Sequence, residues 1–212
     1  VVGCAIAREL SKYNLKTALL ERAGDVAEGI SKANSGVLHA GFNVRQGSLK
    51  ARFNLEGLSY FPRLAQELDV EYRYCGKLVV ARKEEELPYL EKLLAQGKKN
   101  GCAGLSIINE ERIHQLEPLV NGKWALLSEG TGIITPFLLT IAFAENAQAN
   151  GADIFLNAPV SAITPVPGIG YTLKTPDGRQ FTARTVINSA GNQAAETANL
   201  LQPGTFRTYP CR

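Results

Sequence analysis

Three kinds of residue in the first hundred positions have side chains and spacing suited to chemistry. His39 stands in the run Asn34-Ser35-Gly36-Val37-Leu38-His39-Ala40-Gly41 and is the only histidine before position 100. An imidazole titrates near neutrality and suits proton transfer, although a structural hydrogen bond is the plainer use of a lone histidine. Glu21 closes the short apolar run from Lys16 to Leu20 and stands downstream of Gly3. A carboxylate at a strand end, about 20 residues after a glycine that opens a helix, can accept the ribose hydroxyls of an adenine nucleotide. The third group is cationic: Arg45, Lys50, Arg52, Arg73 and Lys77. Any of these suits a carboxylate or phosphate, while most charged side chains are simply solvated.

These residues need elements to position them. Ile6 and Leu10 recur with helical spacing among small residues, which predicts a helix from Gly3 to Leu10, followed by a strand at 16–20. That is the opening of a βαβ unit. Gly3 would be the third glycine of G-x-G-x-x-G, with the first two and their strand expected ahead of Val1. Ser48 can cap a helix to about Asp69, with Pro62 predicting a kink or break near Tyr60. Residues 72–82 read as one strand, 84–100 as a helix ended by Gly101, and 105–108 as a strand. Asn109 can cap a helix to Leu116 ahead of a strand at 124–127. Thr135-Pro136 starts a helix to about Asn150. Strands are expected at 153–156 and 159–164, and a hairpin around Asp177-Gly178. A buried strand at 185–190 and a helix from Asn192 to Leu201 complete the reading.

The segment from Ser31 to Gly41, followed by Gln46-Gly47-Ser48-Leu49-Lys50-Ala51, resembles the FAD-dependent oxidoreductases of the D-amino-acid oxidase superfamily. It is most similar to their L-2-hydroxyglutarate dehydrogenase/oxidase and glycerol-3-phosphate dehydrogenase-like branches. The resemblance continues through Gly132 to Phe137, Thr140 to Asn146 and Val186 to Gly191, and so covers nearly the whole sequence. It implies an α/β fold, a Rossmann-like FAD-binding domain of three layers with a parallel sheet, carrying an inserted α+β substrate domain. The implied segments are 1–72 and 135–195 for FAD, 73–134 for the insertion, and 196–212 as the start of a further substrate segment. The sequence is thereby expected to be a fragment at both ends.

The resemblance also implies the cofactor, FAD, and the residues that border it: Gly3, Glu21, Arg22, Ser31, Asn34, Ser35, Gly36, Val160, Ala190 and Gly191. His39 then becomes the candidate catalytic base, with covalent attachment of the flavin as a second role and a structural bond as a third. The implied reaction transfers a hydride from a small anionic 2-hydroxy acid. Glycerol 3-phosphate oxidation, amine oxidation and a non-catalytic FAD module are the alternatives. The electron acceptor, whether oxygen, quinone or an electron-transfer protein, stays open.

Composition sets the outer bounds. With 45% hydrophobic and 20% charged residues the chain is of ordinary globular type, and a net charge of +3 without a basic run argues against nucleic acid. Cysteines at 4, 75, 102 and 211 lack C-x-x-C spacing, and two histidines are too few to suggest a zinc site. Reduced thiols and a cytoplasmic setting are expected, with His114 exposed. No apolar run reaches the roughly 20 residues of a membrane span, which leaves open only a peripheral contact at the inner membrane face.

Overall fold

The computed structural model describes residues 1–209. Cys211, with its expected reduced thiol, and the end of the 196–212 segment lie outside the described residues. The backbone divides into two compact units, Val1–Asn34 with the chain from Pro136 onward, and Ser35–Thr135. Residues 35–72 therefore group with the second unit.

The first unit opens with α1 (Val2–Leu10), which buries Cys4, Ala7 and Arg8, and continues into β1 (Ala18–Leu20). The chain then leaves for the second unit.

There β2 (Val37–Leu38) leads to α2 (Leu49–Leu68), capped by the Ser48 hydroxyl, which accepts from the Ala51 amide at 3.2 Å. Of the kink or break expected near Tyr60, the break does not occur: α2 is a single helix through Pro62. The missing proline N–H removes one helical bond. Burial of Phe61, Leu64 and Ala65 on either side offsets that loss, at about 1.5–3 kcal/mol for each large apolar side chain.

The expected strand at 72–82 is two strands in different sheets, β3 (Tyr72–Tyr74) and β4 (Leu78–Ala81). Gly76 adopts φ +75° between them, a conformation that favours glycine and turns the chain out of the first sheet. A 3₁₀ turn (Glu84–Glu86) precedes α3 (Leu87–Asn100), which Gly101 terminates in the left-handed conformation. Next come β5 (Leu105–Asn109), α4 (Glu110–Leu116) with Asn109 accepting from the Arg112 amide, β6 (Trp124–Ser128) and β7 (Gly132–Ile134). Two three-stranded sheets result, ordered β2-β7-β3 and β4-β6-β5. The core joins Ala40 and Phe42 to Ala81, Leu90, Leu93 and Leu126.

Back in the first unit, α5 (Pro136–Ala149) and β8 (Asp153–Phe155) complete the α/β arrangement. β8 pairs in parallel with β1, Leu19 opposite Ile154. Ala7, Ala147 and Ala152 pack together, and their small side chains let α1 and α5 approach closely. An antiparallel sheet follows, ordered β11-β10-β9, of β9 (Ala162–Val166), β10 (Gly170–Lys174) and β11 (Gln180–Ala183). Asp177-Gly178 lies at its hairpin as expected, and Pro165 is tolerated because β9 is an edge strand. The buried strand expected at 185–190 is absent. That segment is irregular and mostly exposed, because no strand among the described residues offers it a ladder partner. After a 3₁₀ turn (Gly191–Gln193), α6 (Ala194–Asn199) is the last helix among the described residues.

Candidate functional site

In the first unit the chemistry gathers at the amino end of α1. No side chain caps this helix, and its first internal bond runs from the Ala5 amide to the Val1 carbonyl, so the preceding amides point out of the helix end. A Cβ on Gly3 would lie 2.6 Å from the Ser189 Oγ. The segment before Ala190 and Gly191 thus passes close to the helix start. Ser189 is a site neighbour that the sequence reading missed; nothing local marks it, because the contact joins opposite ends of the chain. Ser31 is brought to the same place, its Oγ accepting from the Val1 backbone nitrogen at 2.9 Å.

Glu21 stands one residue past β1 and is half-buried. Its Oε1 accepts from the Ala23 amide at 2.9 Å, and Oε2 has no hydrogen-bond partner among the described residues. Its charge reaches α1: burial raises the Cys4 thiol above its usual range, the chain's amino terminus opposes this, and Glu21 adds to it. The Glu21 carbonyl accepts from the Ala158 amide at 2.8 Å, which places half-buried Val160 two residues from that contact. Arg22 is exposed. Asn34 folds its own loop, its amide donating to the Ile30 and Ser31 carbonyls at 2.9 and 3.1 Å. Open helix amides suit a pyrophosphate, and an unshared carboxylate oxygen suits a diol, so this end of the unit fits the adenosine diphosphate half of a dinucleotide.

The second unit presents a different cluster. Exposed Ser35 leads into buried Gly36, whose carbonyl accepts from the Ile134 amide at 2.8 Å and extends the β2–β7 ladder. Leu38 and Tyr74 both stand opposite Gly132, so His39 and Cys75 leave the sheet at the same end. A Cβ on Gly132 would meet the Arg73 carbonyl at 2.7 Å, so only glycine fits between the two strands. Beyond His39 the chain is clamped from the end of α3. Gln96 donates to the Phe42 and Val44 carbonyls, Asn100 to those of Gly41 and Val44, and the Cys102 thiol to that of Ala40 at 2.9 Å.

His39 is exposed and has no hydrogen-bond partner among the described residues. Partial desolvation of the ring lowers its pKa from the ordinary 6.5, and the charges of Lys77 and Lys50 lower it further. The imidazole is therefore uncharged at neutral pH, as a proton acceptor must be. The Lys77 ammonium lies 5.7 Å from the centre of the Phe42 ring. Of the five candidate cations, Arg52 is committed to Glu56 at 2.7 Å and stacks on Phe53, a pairing that its four-residue spacing could have disclosed. Arg45 and Arg73 are exposed without exerting a resolved effect on His39. His114 is half-buried, not exposed, with Nδ1 3.4 Å from the Pro118 carbonyl. Among the described residues no group of three or more possible metal ligands assembles, and no helix is long and apolar enough to cross a membrane.

A parallel α/β unit whose glycine-opened helix meets an acidic strand end, with a second α+β unit, is the Rossmann-like architecture of dinucleotide-dependent oxidoreductases. Residues 1–212 match the family model described as FAD dependent oxidoreductase, DAO, and the chain belongs to that family. Relatives include a glycerol 3-phosphate dehydrogenase of Caloramator mitchellensis, 39% identical over 100% of this chain and 44% of its own length. The mitochondrial L-2-hydroxyglutarate dehydrogenase of Caenorhabditis elegans is 36% identical over 94% of this chain and 47% of its own length. The FAD-bound L-alpha-glycerophosphate oxidase of Mycoplasma pneumoniae superposes with a TM-score of 0.88 at 31% identity, covering 95% of this chain and 54% of that one. The chain spans about half the length of the curated relatives it matches.

Proposed function

We propose that the full-length protein is an FAD-dependent dehydrogenase or oxidase of small anionic alcohols. A 2-hydroxy acid of the L-2-hydroxyglutarate type is the first substrate and glycerol 3-phosphate the alternative. One observation carries the reading: His39 is accessible, uncharged at neutral pH, and flanked by two lysines that have no acidic partner among the described residues. The names of the relatives, which divide between these two substrates, support the same class.

In this reading Gly3 and Ser31 border the pyrophosphate, Glu21 and Arg22 the ribose and adenine with Val160, and Asn34, Ser35, Gly36, Ala190 and Gly191 line the remaining cofactor contacts. When bound, FAD supplies the two-electron oxidant. His39 takes the hydroxyl proton at an imidazole nitrogen while the neighbouring C–H hydrogen leaves with its electron pair, so the alcohol becomes a ketone.

The test is the visible spectrum of the full-length protein before and after anaerobic L-2-hydroxyglutarate, then glycerol 3-phosphate. Bleaching of the flavin band by one of them supports the reading and selects the substrate. A colourless protein that cannot be reconstituted with FAD overturns it.

A further inference from the structure

Six cations lie between the flavin-type loop and the end of β4, and the fold separates them: Arg63 is paired with Glu67 at 2.8 Å, which leaves the five candidates. Arg52 is neutralised by Glu56, and Arg45 and Arg73 are exposed. Lys77 is different on three counts. The turn that carries it is fixed on both sides, the Gly76 amide donating to the Thr131 carbonyl at 2.9 Å and Lys77 exchanging backbone bonds with Ser128 at 3.1 and 2.9 Å. Its ammonium lies over Phe42, three residues beyond His39. It is half-buried, and neither it nor Lys50, in the first turn of α2, forms an ion pair among the described residues. His39 and Cys75 both leave the sheet beside Gly132, so the stretches that carry His39 and Lys77 start from the same end of one sheet.

We propose that Lys77, assisted by Lys50, is the seat for the anionic group of the substrate beside His39, and that the group is a small carboxylate or phosphate. The assignment rests on the reading of His39 as the proton acceptor. A half-buried ammonium resting on an aromatic face loses little further freedom when an anion arrives, so its charge-assisted hydrogen bond is well placed to recognise one. The same two charges keep His39 unprotonated until the anion binds. The bound anion then offsets them and makes the imidazole a better base at the moment the hydroxyl is in place.

The experiment uses the full-length protein with Lys77→Met, Lys77→Arg and Lys50→Met. Lys77→Met should raise KM about tenfold or more with kcat changed far less, as loss of a charge-assisted contact predicts, and Lys77→Arg should recover most of it. The ratio of the effect on L-2-hydroxyglutarate to that on glycerol 3-phosphate tells a carboxylate seat from a phosphate seat. In parallel, His39 is titrated by NMR without turnover, with glutarate and inorganic phosphate as probes. Lys77→Met should raise the His39 pKa, and the probes should raise it in the parent protein but not in that variant. If both methionine variants leave KM and the His39 titration unchanged, the assignment is overturned. If neither alcohol bleaches the flavin, the reading of His39 as base fails, while the titration still decides whether an anion sits at Lys77.

Discussion

The side-chain amide of Asn100 donates to the backbone carbonyl of Gly41 across 59 residues of sequence, at 3.0 Å. It also reaches the Val44 carbonyl at 2.8 Å. The carboxyl end of α3 therefore holds the stretch of chain that leaves His39, and the geometry of the histidine depends on a helix with no reactive group of its own.

Replacing Asn100 with Ala removes one donor from each of two carbonyls, while Val44 keeps its bond from Gln96 and Gly41 its bond from the Val44 amide. Stability should fall by about 0.5–1.5 kcal/mol, the usual net worth of an intramolecular hydrogen bond. The measurement is the urea midpoint, and a midpoint equal to that of the parent would remove Asn100 from the clamp.

Gly97 faces Phe42 so closely that an added Cβ would lie 2.8 Å from the Phe42 Cβ and 2.3 Å from the Leu105 Cδ1. Gly97→Ala gains up to about 1 kcal/mol of helix propensity. Overpacking costs about 1–3 kcal/mol, so the net change should lower Tm. A higher Tm would show that the contact relaxes freely.

For His39 the sign of the pH effect follows from its lowered pKa. The folded protein disfavours the protonated ring, so the histidine's stabilising contribution is complete above the ordinary value of 6.5 and is lost as pH falls through the lower folded value. The acid limb of kcat/KM should accordingly turn over below 6.5. A limb centred above that value would contradict the assignment of the base.

His39→Gln should slow substrate-dependent flavin reduction by about 10²–10⁴-fold, the range of general base catalysis. Flavin content should stay unchanged. An unaltered rate would leave the histidine a structural role only.

Local signals gave much of this architecture. Ser48, Asn109 and Gly101 end their helices as their residue types require, and Asp177-Gly178 makes the hairpin. Where sequence reading failed, the deciding partner was remote. Residues 72–82 have strand composition throughout, but β3 pairs with β7 and β4 with β6, so the break at Gly76 is imposed by two different sheets. Val186 and Ile187 have equal strand preference and find no ladder partner among the described residues. The choice of Lys77 among five cations was likewise hidden, because it depends on which charges are already neutralised and on a turn fixed by Ser128 and Thr131.

The hydrogen bond from Cys102 to Ala40 has a use outside the reaction. Burial raises the pKa of this thiol and of Cys4, so both stay protonated and react slowly with alkylating reagents, whereas Cys75 is exposed. Among the described cysteines a maleimide dye should therefore attach first at Cys75, two residues from Lys77. A fluorophore placed there would report the arrival of an anion by its change in emission, with the cysteine that braces the histidine loop left untouched.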